Sequence, residues 1–247
     1  MVLLEGKNLS KSFRDRAGVT DALKDVSFVL GEGEVLGVVG ESGSGKSTLF
    51  RIISGMIRPD SGSLFYKGSE YTGKGPADTG EFLQVIFQNA KSSFDPRMTM
   101  EKAILENGRG KKDREEILGL LKMVGLEERF LSAKASELSG GQCQRMSIAR
   151  AFYSEARILL CDEISSALDV STQARVIELL QKLKIDDGLS AIFISHDIAL
   201  VSMICDRIMV MKDGRCVEQG DTVRVIQNPR DEYTKLLIDS AKKQSLA

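Results

Sequence analysis

Histidine occurs once in this 247-residue chain, at His196, so any site that needs two histidines is excluded. The four cysteines, at 143, 161, 205 and 216, show no CxxC or other metal-ligand spacing and no disulfide framework. Cys161 and Cys205 sit inside apolar runs and read as small buried hydrophobes, which fits a reducing cytosol. No apolar run approaches the ~20 residues of a spanning helix. The opening "MVLLEGKNLSKSF" turns polar too soon for a secretory signal, so membrane association is expected only through a partner. An excess of either charge is missing as well. The formal net charge is −1, so no global field draws the chain to nucleic acid or anionic lipid. Repeats and low-complexity stretches are absent.

What is present is alternation. "VLGVV" (35 to 39) is a short continuous β-type run, as expected of a strand covered on both faces. It leads into "GESGSGKST" (40 to 48) and then a helical "KSTLFRIISGM". "SLFY" and "FLQVIF" are further strand candidates. From about 98 to 155 the period becomes helical, in "MTMEKAILE", "KDREEILGLLKMVGL" and the stretch after "SGGQ". Strand-like runs then return in "RILLCDE", "SAIFISHD" and "DRIMVMKDGRCVE", with the helical "TQARVIELLQKLK" between the first two. The pattern predicts a mostly parallel sheet with crossover helices and a helical insertion. The N-terminal segments, with a turn at Gly31 to Gly33, read instead as antiparallel strands.

Gly40 to Thr48 satisfies G-x-x-x-x-G-K-[ST] in the required strand–loop–helix setting. Its glycines, Gly40, Gly43 and Gly45, let the backbone curl with N–H groups turned toward a β-phosphate, and Ser42 and Ser44 lie between them in the cofactor-binding loop. Lys46 reaches β- and γ-oxygens, Ser47 ligates Mg²⁺, and Thr48 completes the motif. Asp162 and Glu163 end the apolar "ILLCDE", at the edge of an open α/β sheet where ligands bind. Asp162 suits the Mg²⁺ shell through a water, and Glu163 is placed to polarise an attacking water. His196 ends "AIFIS" in the same way and is expected to contact a γ-phosphate.

A second anion site is legible in "SELSGGQCQRMSIAR" (136 to 150). Ser139 offers a hydroxyl, Gly140 and Gly141 leave N–H groups open, and Gln142 begins a run of helix formers. Met146, Ala149 and Tyr153 fall on one side of that run. A helix start of this kind attracts anions.

Taken in order, Gly40 to Ser47, Gln88, Leu138 to Gln142, Asp162-Glu163, Ser166 to Asp169 and His196 resemble the motifs of ATP-binding cassette (ABC) ATPases over essentially the whole chain. The resemblance implies a P-loop NTPase, an α/β fold with a RecA-like parallel core. It carries an N-terminal antiparallel β subdomain and an inserted α-helical subdomain. As a single ABC domain, residues 1–88 and 156–247 would form the core with its β subdomain, and 89–155 the helical part bearing the signature. It implies head-to-tail pairing with a second ABC ATPase subunit, identical or related, each ATP lying between one phosphate loop and the other signature. Hydrolysis would then let the subunits part.

Gln88 resembles the Q-loop glutamine, a contact to Mg²⁺ and water; without the family it is a polar residue ending a strand. Asp169 resembles the aspartate facing the partner across the seam. Phe13 either stacks on adenine, as the family aromatic does, or packs in the N-terminal core. Ile164 and Cys143 depart from the common proline and glutamine, outside the phosphate-contacting atoms.

"FQNAKSSFDPRMTM", "VMKDGRCVEQG" and "NPRDEYTKLL" resemble the subgroup serving importers of peptides, nickel and metal chelates. That implies a peripheral position on the cytoplasmic face of the membrane through integral permease subunits, met by residues 89 to 105. An extracytoplasmic substrate-binding protein would be an indirect partner. No iron–sulfur cluster and no nucleic acid are expected. Two alternatives remain: a soluble ABC ATPase in an enzyme complex such as phosphonate carbon–phosphorus cleavage, or a DNA-repair or translation ABC protein. Near-neutral charge and the lack of long arms or zinc insertions stand against the latter.

Overall fold

The computed structural model describes residues 1–15, 18–71, 79–80, 82–108, 113–154, 156–163 and 170–244. Strands β1 (Val2–Asp15) and β2 (Gly18–Gly31) pair antiparallel and are joined by β4 (Ser61–Tyr66) and β5 (Ser69–Tyr71), in the order β2-β1-β4-β5. The second sheet holds β3 (Val35–Val39), β6 (Leu83–Ile86), β7 (Ile158–Asp162), β8 (Ser190–Ser195), β9 (Arg207–Lys212) and β10 (Arg215–Asp221), in the order β10-β9-β3-β8-β7-β6. Its pairings are parallel except β9 with β10. The expected parallel core and N-terminal antiparallel strands are both present.

One local difference from the sequence reading has a physical cause. "DRIMVMKDGRCVE" is not one strand. Asp213 and Gly214 take φ of 49° and 79°, the left-handed region that closes a tight hairpin turn, and the run splits into β9 and β10. The expected turn at Gly31 to Gly33 is present, and it leads from one sheet into the other, since β2 and β3 are not partners.

Period-2 alternation explains why the core strands read as unbroken apolar runs. Val35, Val39, Leu159, Cys161, Ala191 and Phe193 face one hydrophobic core. Leu36, Val38, Ile158, Leu160, Ile192 and Ile194 face another, shared with Leu4, Leu9 and Phe28 of the antiparallel sheet. Both faces are thus covered, as parallel sheets require. Helix α1 (Lys46–Ile53) lies in the second core through Leu49, Phe50, Ile52 and Ile53.

Between β6 and β7 run α2 (Met100–Asn107), α3 (Arg114–Met123) and α4 (Gly140–Tyr153). Their N-caps are Thr99, Asp113 and Ser139, each side chain accepting a backbone N–H of its own first turn. Met146, Ala149 and Tyr153 of α4 are fully buried, as their spacing predicts. After β7 come α5 (Val170–Asp187), α6 (Ile198–Ile204), α7 (Thr222–Gln227) and α8 (Glu232–Gln244). Because β3, β6, β7 and β8 run parallel, their C-terminal ends share one edge of the sheet, and the motif residues gather there.

Candidate functional site

The phosphate loop leaves β3 and opens α1. Gly40 and Gly45 are required twice over. Their φ values are 156° and 103°, and an added Cβ would lie 2.2 Å from the Met211 carbonyl at Gly40 and 2.5 Å from the Ala22 carbonyl at Gly45. The first turn of α1 has no side-chain cap, which suits it to an anion. Lys46 is buried, and its ammonium donates to the Gly40 carbonyl at 2.7 Å and the Glu41 carbonyl at 2.8 Å, with Ser44 Oγ at 3.4 Å. Burial pushes its pKa down, while the charges of Glu163, Asp162 and Glu41 push the other way. Ser47 is exposed at the helix start and Thr48 half-buried behind it.

Glu163 follows β7 and turns out of the sheet at φ 45°, the left-handed region, with its N–H held by the Ile194 carbonyl at 2.9 Å. Its carboxylate takes two partners from neighbouring strand ends. Gln88 Nε2 donates to Oε2 at 2.7 Å, and His196 Nδ1 lies 3.0 Å from Oε1. The Nδ1–H tautomer of His196 would donate to that oxygen, and the ring borders the cleft. The amide nitrogen of Gln88 is engaged by Glu163, which leaves its carbonyl oxygen for another contact. Asp162, one residue earlier, is pushed up to about 6 by burial and by the Glu163 charge, against the pull of Lys46 and Arg51.

These groups line a cleft of about 990 Å³, the size of a nucleotide pocket. Gly40, Ser42, Gly43, Gly45, Lys46, Ser47, Thr48, Gln88, Asp162, Glu163 and His196 all border it. Ser44 stands behind the loop, 5% exposed. Phe13 is at the mouth and 40% exposed, so its core alternative is not realised.

Sequence reasoning missed Thr20 to Ala22 of β2 and four residues of α8 that also line the cleft. The first set follows from the register, in which Thr20 is the antiparallel partner of Phe13, and the sequence alone does not give that pairing. The second had no signal either, because α8 reaches the loop only by tertiary packing.

Ser139, Gly140, Gly141 and Gln142 do not line this cleft. They form a reciprocal cap at the start of α4. Gln142 N–H donates to Ser139 Oγ at 3.2 Å, and Ser139 N–H to Gln142 Oε1 at 2.9 Å. Gly140 is exposed, and a Cβ there would meet open space. Nothing among the described residues explains that glycine. Cys143 is buried, its Sγ 3.5 Å from the Ala135 carbonyl, so the departure at this position is absorbed by packing. Ile164 and Ser166 to Asp169 lie outside the described residues.

The family model described as ABC transporter matches residues 23–166. The oligopeptide transport ATP-binding protein OppF of Haemophilus influenzae is 40% identical over 95% of this chain and 74% of its own. The dipeptide transport ATP-binding protein DppF of the same organism is 40% identical over 91% of this chain and 71% of its own. Among solved structures, a dimeric post-hydrolysis state of an ATP-binding cassette bound to ADP and Pi superposes with a TM-score of 0.80. It is 31% identical and covers 89% of this chain and 99% of its own. The phosphate loop, the carboxylate held by glutamine and histidine at three adjacent strand ends, and these likenesses agree. The chain belongs to the ABC transporter family, as an ATP-hydrolysing ATP-binding cassette.

Proposed function

We propose that this chain is the ATPase subunit of a peptide importer, working as one of a pair of cassettes bound to integral permease subunits. The relatives named above serve oligopeptide and dipeptide transport, which favours peptides over nickel or metal chelates as cargo. No helix among the described residues is long and apolar enough to cross a membrane. The reading therefore places the chain at the cytoplasmic face, held there by the permease. A substrate-binding protein on the other side completes the pathway without touching it. Residues 1–88 and 156–247 act as the core with its β subdomain, and 89–155 as the helical part.

One observation carries the chemistry: Glu163 is clamped between Gln88 and His196, facing Lys46 across the same cleft. In this reading the phosphate-loop N–H groups and Lys46 hold the β- and γ-phosphates. Glu163 takes the proton of the attacking water, and His196 and Gln88 keep the carboxylate and water aligned. Mg²⁺, when bound, neutralises charge on the phosphates.

The donor set suits that ion: hard oxygens from Ser47, Asp162 and Gln88, beside a carboxylate pair whose mutual repulsion a cation relieves. No cluster of three or more His, Cys, Asp or Glu side chains fit for a metal occurs among the described residues. The ion would therefore depend on phosphate oxygens as well. Binding needs ionised Asp162, so turnover is expected to hold above pH 6 and decline as pH falls through about 6. Asp162→Asn, which cannot ionise, should hold kcat/KM for MgATP at the low-pH level across the whole range, without the rise through about 6.

Phe13, exposed at the mouth, is assigned to the adenine ring. Phe13→Ala is expected to weaken ATP binding by about 1–3 kcal/mol, with Phe13→Tyr near wild type. Titration with a fluorescent ATP analogue measures both.

The signature at Ser139 to Gln142 is assigned to the nucleotide of the partner cassette, and Asp169, on the family resemblance alone, to the same seam. Arg150 of the same helix donates to the Ser93 carbonyl at 2.9 Å and Ser93 Oγ at 3.0 Å, and lies 4.3 Å from the Phe94 ring centroid. Movement of the signature helix is thereby tied to the segment after Gln88, proposed to meet the permease. Co-purification from native membranes tests the reading. Recovery of an integral membrane protein supports it, and recovery of soluble enzyme partners alone overturns it.

A further inference from the structure

The Gly40–Glu41 peptide group is held on both sides. Its carbonyl accepts the Lys46 ammonium at 2.7 Å. Its N–H, that of Glu41, donates to the Tyr233 hydroxyl at 2.9 Å. Tyr233 is 192 residues away in sequence, in the first turn of α8.

We infer that Tyr233 is a positioning residue of the nucleotide site, through which the C-terminal helix α8 holds the entrance of the phosphate loop in its binding geometry. The inference rests on the nucleotide reading of the cleft and adds a residue to it.

Three features show that the tyrosine is itself fixed. First, Glu218 anchors the approach to α8: its carboxylate accepts the N–H groups of Arg230 and Asp231 at 3.1 Å. Burial alone would raise the Glu218 pKa, but these hydrogen bonds bring it below its usual value, so the acceptor is ionised. Second, Asp231 Oδ1 accepts the Tyr233 N–H at 2.9 Å, setting the start of the helix. Third, the Tyr233 ring is 7% exposed and lies 4.8 Å from Lys212 Nζ. Lys212 ends β9, and the turn after it gives the loop a further brace, Gly214 N–H to the Ser44 carbonyl at 3.1 Å. The loop is thus clamped at Glu41 by α8 and at Ser44 by the β9–β10 turn. The same helix turns Leu236, Leu237, Ser240 and Ala241 to the cleft.

A peptide plane fixed in advance need not be ordered when phosphate arrives, and that lowers the entropic cost of binding. Tyr233 touches no reacting atom in this account. Its hydroxyl should therefore govern affinity and leave the chemical step alone.

Tyr233→Phe keeps the ring against Lys212 and removes only the acceptor. Losing one such hydrogen bond is expected to weaken ATP and ADP binding about threefold to tenfold, raising KM for ATP in proportion while kcat at saturating ATP stays within about twofold. An independent readout is amide hydrogen exchange of the peptide spanning residues 35 to 46, which should quicken at Glu41. The melting temperature, measured alongside, reports whether the fold is kept. Unchanged Kd and KM, unchanged exchange, or a loss confined to kcat would each overturn the role of Tyr233. Failure of the wild-type chain to bind ATP would instead overturn the nucleotide reading on which it rests.

Discussion

Glu163→Gln is expected to lower steady-state ATP turnover by about 10²–10³-fold while leaving ATP affinity near wild type. The substitution changes one oxygen for an NH₂ group in a side chain of the same shape. One of the two donors, Gln88 Nε2 or His196 Nδ1, then faces the new NH₂ group and must turn its amide or change tautomer, but the volume stays filled and the site is not emptied. The capacity to take a proton from water is lost. Binding is held elsewhere, by the phosphate loop and Lys46, whose hydrogen bonds do not pass through Glu163. The expected signature is thus a fall in kcat with Kd preserved, read by phosphate release and by nucleotide titration on one preparation. Rapid hydrolysis by the variant would remove Glu163 from the base role. Loss of binding would show that its charge serves the fold of the site instead.

Gly140→Asp is the second large expected effect, and its logic is the reverse. Within one chain the substitution is harmless, because a Cβ at Gly140 meets open space and the residue is exposed. A carboxylate in the first turn even complements the macrodipole of α4. Melting temperature should hold or rise. A partner's γ-phosphate brought to that helix start would meet a negative charge where N–H groups should meet it. Turnover is expected to fall at least about 10²-fold, the scale for loss of a preorganised anion contact, with ATP binding to the single chain unaffected. A variant that is stable, binds ATP and turns over normally would strip the signature of its assigned role.

Much of this site was legible in the sequence because local pattern and site coincide there. "VLGVV" followed by the glycine loop fixes both a strand covered on two faces and the place of Lys46. The apolar runs before Asp162 and His196 place both residues at strand ends, and parallel pairing brings those ends together. The family resemblance added Gln88, and the structure sets it 2.7 Å from Glu163.

Other features depend on information that a single stretch does not carry. Phe13 had two readings because strand period alone does not say which face of β1 looks to the cleft. Only the register with Thr20 and the second sheet's position decide it. The splitting of β9 from β10 is different: Asp213-Gly214 is itself a hairpin signal, and reading the run whole as strand-like passes over it. Tyr233 was invisible for a plainer reason. Its contact to Glu41 joins the chain's beginning to its end, and "NPRDEYTKLL" read only as subgroup likeness.

The central claim is that ATP is gripped by the phosphate loop of one cassette and the signature of another. Sedimentation of Glu163→Gln with and without ATP, repeated for the double variant Glu163→Gln/Gly140→Asp, tests it most directly. The account expects ATP to convert the single variant from monomer to dimer, and the double variant to bind ATP yet stay monomeric. Dimers that form equally well with Asp at position 140, or a wild-type chain that hydrolyses ATP at full rate as a strict monomer, would contradict it.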